Sequence, residues 1–129
     1  ELSQGVGKRL RELQKKLKVH VVTADTFGTA RETFDSLGLE AELEILGKED
    51  HGAAKQALVE ELGADTAAAV GNGRNDVQML GVAALGVCVC GREGWANEAA
   101  AAAQLSCPSI EDALDLFRFP LRLRATLRS

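Results

Sequence analysis

The chain has 129 residues, 46% of them hydrophobic and 26% charged, with a formal net charge of -4. That is room for one domain with a real core, and the charge disfavours nucleic acid and anionic membranes as partners. No stretch has the pattern of a membrane span or a signal peptide. Cys88, Cys90 and Cys107 fit neither a zinc spacing nor a disulfide framework, so buried, reduced thiols in a cytoplasmic protein are expected.

The first segment, Leu2–Leu17, reads as a helix. Val6, Leu10, Leu13 and Leu17 share one face, and Lys8, Arg9, Arg11, Glu12, Lys15 and Lys16 make a solvated one. Val19–Thr23 is a short β-branched strand, with His20 expected as a packed or edge histidine rather than a ligand. Small polar residues follow (Ala24, Asp25, Thr26, Gly28, Thr29). A helix spaced by Ala30, Phe34 and Leu37 comes next, and Gly38 is its expected C-cap. Leu43–Leu46 is a strand and Gly47–Gly52 a polar loop. Ala54, Ala57, Leu58 and Leu62 mark a helix ended by Gly63, with Lys55 expected in its first turn, where a cation opposes the helix dipole.

An apolar run from Ala67 to Val70 then stops at Gly71. Gly71-Asn72-Gly73-Arg74-Asn75-Asp76 is a tight polar loop, and Val77, Met79 and Leu80 open a helix. Strand, glycine-rich loop and helix start place polar groups where open parallel sheets bind ligands. Asn72, Asn75 and Asp76 offer the oxygens that Mg2+ takes beside substrate phosphates. A solvated turn with a helix cap explains the same text. The fingerprint of dinucleotide sites fits poorly, because Asp76 stands where the third glycine should.

Leu85–Cys90 is a further strand, and Trp95–Ala103 an alanine-rich helix in which Trp95 is expected to pack or to act as a lid. Gln104–Cys107 reads as an edge strand. Ser109 to Asp112 resembles a capping box opening a last helix. The tail carries Arg118, Arg122, Arg124 and Arg128 and no acid. Strands alternate with helices throughout, which predicts a mostly parallel α/β sheet with helices on both faces. The polar loops then cluster along one sheet edge and suggest a phosphate-and-metal site.

Thr23 after an apolar strand, Lys55 at a helix start and the Gly71–Asp76 loop resemble motifs II, III and IV of the haloacid dehalogenase (HAD) superfamily. The text VVTADTFGTA and VGNGRNDVQML is similar to the small soluble proteins related to P-type ATPase phosphorylation domains. The resemblance implies a single HAD-like (Rossmann-like) α/β/α sandwich over residues 1–129, without a sizeable cap. It also implies Mg2+-dependent phosphoryl transfer through an aspartyl-phosphate. Thr23, Lys55 and Asp76 are then catalytic. Thr23, Ala24, Lys55 and Asn75 bind the phosphate, and Asp76 with Asn72 holds Mg2+.

The chain departs from that family's pattern in two places. Asn72 stands where the family has an aspartate, so one ligand carries no charge. The family's nucleophile and its strand, the first and central one, do not occur in this chain and are expected upstream of Glu1. Asp25-Thr26-Phe27-Gly28-Thr29 fits the nucleophile's text, but no second motif follows it before Lys55, so Asp25 is the weaker candidate. A phosphatase acting on a phosphorylated substrate, its open site completed by a second copy or by a larger substrate, is the leading reading. A non-catalytic phosphate- or Mg2+-binding domain is the alternative. A nucleotide-binding domain, resting only on Gly71 and Gly73, comes third.

Overall fold

A computed structural model of the chain describes residues 4–23, 30–36, 38, 42–46, 51–92 and 94–119. Six helices and five strands alternate along these residues: α1 (Gln4–Leu13), β1 (His20–Thr23), α2 (Ala30–Ser36), β2 (Glu42–Ile45), α3 (His51–Leu62), β3 (Ala68–Gly71), α4 (Val77–Val82), β4 (Leu85–Val89), α5 (Asn97–Ala102), β5 (Leu105–Cys107) and α6 (Ile110–Arg118). The strands hydrogen-bond in two parallel sets, β1–β2 and β3–β4–β5, and β5 is the edge strand its short polar text predicts.

Alternation along the strands sets the layers. Ala69 of β3 and Cys88 of β4 face a cluster with Val59, Met79, Leu80 and Ala99, so α3, α4 and α5 cover that side. Val70, Val87 and Val89 face the other side with Ala113, Leu116 and Phe117 of α6. A third cluster joins Val6, Leu10 and Leu13 of α1, Phe34 of α2 and Leu114 of α6 to Val21 and Leu43 of β1 and β2. Phe117 packs against both of the last two clusters, so α6 lies across the two strand sets. The result is an α/β fold with helices on both faces, as the alternating text predicts.

The helix stripe of the first segment holds through Leu13 and then ends. Leu17, its fourth position, is 48% exposed. The amides of Lys16 and Leu17 both donate to the Leu13 carbonyl, closing the helix in a turn. Gly38, the expected cap of α2, has φ 67°. Gly63 after α3 has φ 100° and donates to the Glu60 carbonyl, a left-handed ending that favours glycine. Ser109 accepts from the Asp112 amide at 3.0 Å, the cap its text predicts.

An ion network fastens α1 to α6. Arg9 Nε lies 3.0 Å from Asp115 Oδ1, Arg118 Nη1 is 2.6 Å from the same oxygen, and Arg118 Nη2 is 2.8 Å from Glu12 Oε2. Burial acts to raise the Asp115 pKa. Hydrogen bonds from Arg9 and Arg118 outweigh it and leave the group below the ordinary carboxylate range. A depressed folded-state pKa contributes stability that is present above the unfolded value and lost as pH falls through the folded one. Asp115→Asn is therefore expected to lower the Tm by a few degrees at neutral pH. The gap to wild type should close in acid, below the usual aspartate range. Thermal unfolding of both proteins across pH checks this, and a gap that persists in acid would contradict it.

Gly86 marks a close approach within the core. A Cβ there would lie 2.5 Å from the Leu80 carbonyl oxygen and 3.2 Å from the Leu80 Cα, both backbone atoms of α4. Neither can yield without moving the helix off β4. Gly86→Ala is expected to destabilise the protein by about 1–3 kcal/mol, read from the midpoint of urea unfolding.

Candidate functional site

Strand β3 ends at Gly71, and Asn72 and Gly73 lead into a 3-10 turn over Arg74–Asp76 that opens α4. Asp76 is 6% exposed and is the buried charged residue among those described. Its Oδ2 accepts from the backbone amides of Asn72 and Gly73, each at 3.0 Å. Its Oδ1 accepts from Lys55 Nζ at 2.7 Å. The carboxylate therefore folds the loop around itself. Gly71 is a glycine because a Cβ there would lie 2.5 Å from Asp76 Cγ and Oδ2.

Lys55 comes to this point from α3. That helix starts at His51, within the expected Gly47–Gly52 loop, so Lys55 lies in its second turn, not its first. Its placement owes less to the dipole, which acts within the first turn, and more to Asp76. The two side chains are only 13% and 9% exposed. Burying such a pair costs desolvation, offset here by the two amides on the same carboxylate. Lys55 Nζ also donates to Asn75 Oδ1 at 3.4 Å.

Donor counts show what remains free. An ammonium has three donors, and among the described residues Asp76 and Asn75 take two, which leaves one for an incoming oxyanion. A carboxylate has about four acceptor positions, and Lys55 and the two amides take three, which leaves one for a cation. Mg2+ is usually held by one or two carboxylates with phosphates and water. Asp76 supplies one such carboxylate, and Asn72 is tied to it through its backbone amide. Among the described residues no three of His, Cys, Asp and Glu gather as a metal cluster.

The neighbouring strand gives the site an inert floor. Cys88 stands opposite Gly71 in register. Burial pushes its thiol up to about 11, helped by Cys90 and by the charge of Asp76. It stays a thiol at neutral pH.

Four residues singled out by their text thus lie together: Asn72, Lys55, Asn75 and Asp76. Thr23 closes β1, paired in register with Ile45. Ala24 and Asp25, with the rest of that loop, lie outside the described residues, as does Gly47–Asp50. His20 lies in β1 with both ring nitrogens buried and without a hydrogen-bond partner among the described residues. The amides of Asn72 and Gly73, which a pyrophosphate would need, are taken by Asp76, so the dinucleotide reading loses its footing. Two further ties carry no signal in local text. Ala96 N–H donates to the Asn72 carbonyl at 2.9 Å, and Arg74 Nε lies 3.0 Å from Glu98 Oε2. Trp95, at 46% exposure, is on the surface next to the first of them.

No protein-family model matches the chain. It is 43% identical over 60 residues to an uncharacterised protein of Methanocaldococcus jannaschii, a match covering 46% of this chain and 64% of that protein. The match thus spans less than two thirds of its relative. Among solved structures, the chain is similar to 3-deoxy-D-manno-octulosonate 8-phosphate phosphatase from Moraxella catarrhalis, solved with magnesium, phosphate and KDO. That likeness has a TM-score of 0.67 and 17% identity and covers 97% of this chain and 75% of the other. It is similar to the catalytic domain of the CPx-ATPase CopB-B (TM-score 0.67, 20% identity, 87% of this chain, 44% of the other). It is similar also to a phosphoserine phosphatase (TM-score 0.65, 18% identity, 89% of this chain, 65% of the other). The fold of this chain is that of the haloacid dehalogenase superfamily.

Proposed function

We propose that the protein is a Mg2+-dependent phosphohydrolase that binds the phosphoryl group of a phosphomonoester at Thr23, Ala24, Lys55 and Asn75, beside a metal held by Asp76 and Asn72. One observation carries this reading. A mostly buried ammonium, held on Asp76 at 2.7 Å, keeps one donor free at the carboxyl end of β3. The similar phosphatases act on phosphate esters, which supports the reaction class.

Thr23, the Ala24 backbone and Lys55 would hold the phosphoryl oxygens, and Asn75 would orient them. Lys55 would also offset charge between phosphate and nucleophile, so that an anion can approach an anion. Asp76 and Asn72 would hold Mg2+, which supplies further charge neutralisation at the phosphoryl group. An aspartate carboxylate attacks phosphorus, the ester P–O bond breaks, and the leaving alkoxide takes a proton from water. Water then hydrolyses the aspartyl-phosphate and frees inorganic phosphate.

The nucleophile is proposed to come from a strand outside residues 1–129. Among the described residues, β1 and β3 each have a hydrogen-bonded neighbour on one side only, and buried backbone groups need partners. A further parallel strand beside them would fill both needs and present its last residues next to Lys55. Asp25 remains the second candidate. The three cysteines are free, which fits the reducing cytoplasm. No helix of the described residues is long and apolar enough to cross a membrane. A neighbouring copy of the chain is proposed to help close the open site.

A second reading, a phosphate-binding domain without turnover, is favoured by one feature: with Asn72 in the loop, Asp76 is the sole charged ligand candidate there among the described residues. Phosphate release from simple phosphomonoesters by the full-length protein in Mg2+ separates the two. Turnover that falls about 100-fold in Lys55→Met supports the enzyme. Equal turnover in that variant removes Lys55 from the site, and phosphate binding without release supports the binding domain.

A further inference from the structure

We infer that Trp95 forms a recognition surface for the leaving group, and that the preferred substrate is a phosphomonoester with an aromatic ring close to its phosphate. This rests on the phosphohydrolase reading of the same site.

Strands β3 and β4 run parallel, with Gly71 opposite Cys88, so their carboxyl ends open on one edge. The chain leaving β4 turns at once. The Gly94 amide donates to the Gly91 carbonyl at 3.0 Å, and the Ala96 amide then donates to the Asn72 carbonyl at 2.9 Å. The Asn72 amide in turn donates to Asp76 Oδ2. Trp95 is thus one residue along the chain from a direct contact with the loop that carries Asp76. The ion pair of Arg74 with Glu98 ties the same two segments a second time. A ring on this segment is held to the site by two contacts rather than hung on a free loop.

The indole belongs to none of the three core clusters and is 46% exposed. Tryptophan is usually well buried on average. This chain has five aromatic residues, and its single tryptophan is at the rim of the site. Arg92, in the same turn, is exposed as well. An indole offers a flat apolar face and prefers aromatic partners in offset or edge-to-face contact. A phosphate seated on Lys55 leaves its ester group to be recognised by what borders the loop, and Trp95 borders it.

Trp95 is the one tryptophan of residues 1–129, and the Trp95→Phe protein subtracts the emission of any other. Emission of the Mg2+-loaded full-length protein, corrected with Trp95→Phe, is titrated with phenyl phosphate and with glycerol phosphate. Phenyl phosphate is expected to shift the emission saturably, in competition with inorganic phosphate, and glycerol phosphate to leave it unshifted. Trp95→Ala is expected to lower the ratio of kcat/KM for phenyl phosphate over glycerol phosphate about tenfold. An unchanged ratio, or an emission that phenyl phosphate does not move, overturns the inference. If neither ester is hydrolysed, the phosphohydrolase reading fails. The titration still decides the role of the ring, since a competed shift upholds the recognition surface and no shift overturns it.

Discussion

Replacing Asp76 by asparagine is expected to lower turnover by at least about 100-fold while the protein stays folded. The carboxylate does two jobs that the substitution separates. It holds the loop through Oδ2, which accepts from the amides of Asn72 and Gly73. It holds the Lys55 ammonium through Oδ1. An amide oxygen can still accept from the two backbone groups but cannot neutralise the lysine. Asp76→Ala removes both jobs and leaves a mostly buried ammonium without its counter-charge. Breaking such a pair typically costs about 3–5 kcal/mol, a large part of the total stability of a small domain. The expected order of stability is wild type, then asparagine, then alanine, with turnover lost in both variants. Circular dichroism during urea unfolding, with phosphate release on the same samples, reads the two effects. Full turnover in Asp76→Asn would show that the charge is not needed.

Gly71→Ala is expected to cut turnover sharply, although Gly71 has no side chain of its own to meet substrate. The added Cβ would sit 2.5 Å from Asp76 Cγ and Oδ2 and 2.8 Å from Asp76 Cβ. The carboxylate must move, and with it go the two amide bonds and the contact to Lys55. A displacement of this size at a charged site is expected to cost about 100-fold in rate, with about 1–3 kcal/mol of stability. Gly81→Ala is the matched control. Gly81 is exposed in α4 with nothing within 4 Å of its added Cβ. An alanine there, in the last turn of α4, should leave stability unchanged or raise it by up to about 0.5 kcal/mol. Equal activity of the two variants would mean that Asp76 tolerates displacement.

What could be read from the chain beforehand followed the range of the interaction. Val6, Leu10 and Leu13 announce α1 because helical periodicity is local, and the stripe misled only at Leu17, where burial depends on what lies opposite. The turn at Gly71–Asp76 and the cap at Ser109 are legible for the same reason. The pairing of Lys55 with Asp76 is not written in either neighbourhood, since it spans 21 positions and depends on how α3 lies against the loop. The family resemblance brought the two residues to attention together; the geometry adds that the carboxylate spends three of its acceptor positions on holding the site together. The contact of Ala96 with Asn72, and hence the place of Trp95, follows from the parallel register of β3 and β4, which sequence periodicity does not encode.

The most direct measurement of phosphoryl transfer is the intact mass of the full-length protein, acid-quenched during reaction with phenyl phosphate in Mg2+ and then digested to locate any adduct. One phosphoryl group on an aspartate outside residues 1–129, labile to hydroxylamine and absent from Asp76→Asn, is the expected result. An adduct on Asp25 would contradict the placement of the nucleophile. Phosphate release with no covalent adduct under any quench would contradict the aspartyl-phosphate itself.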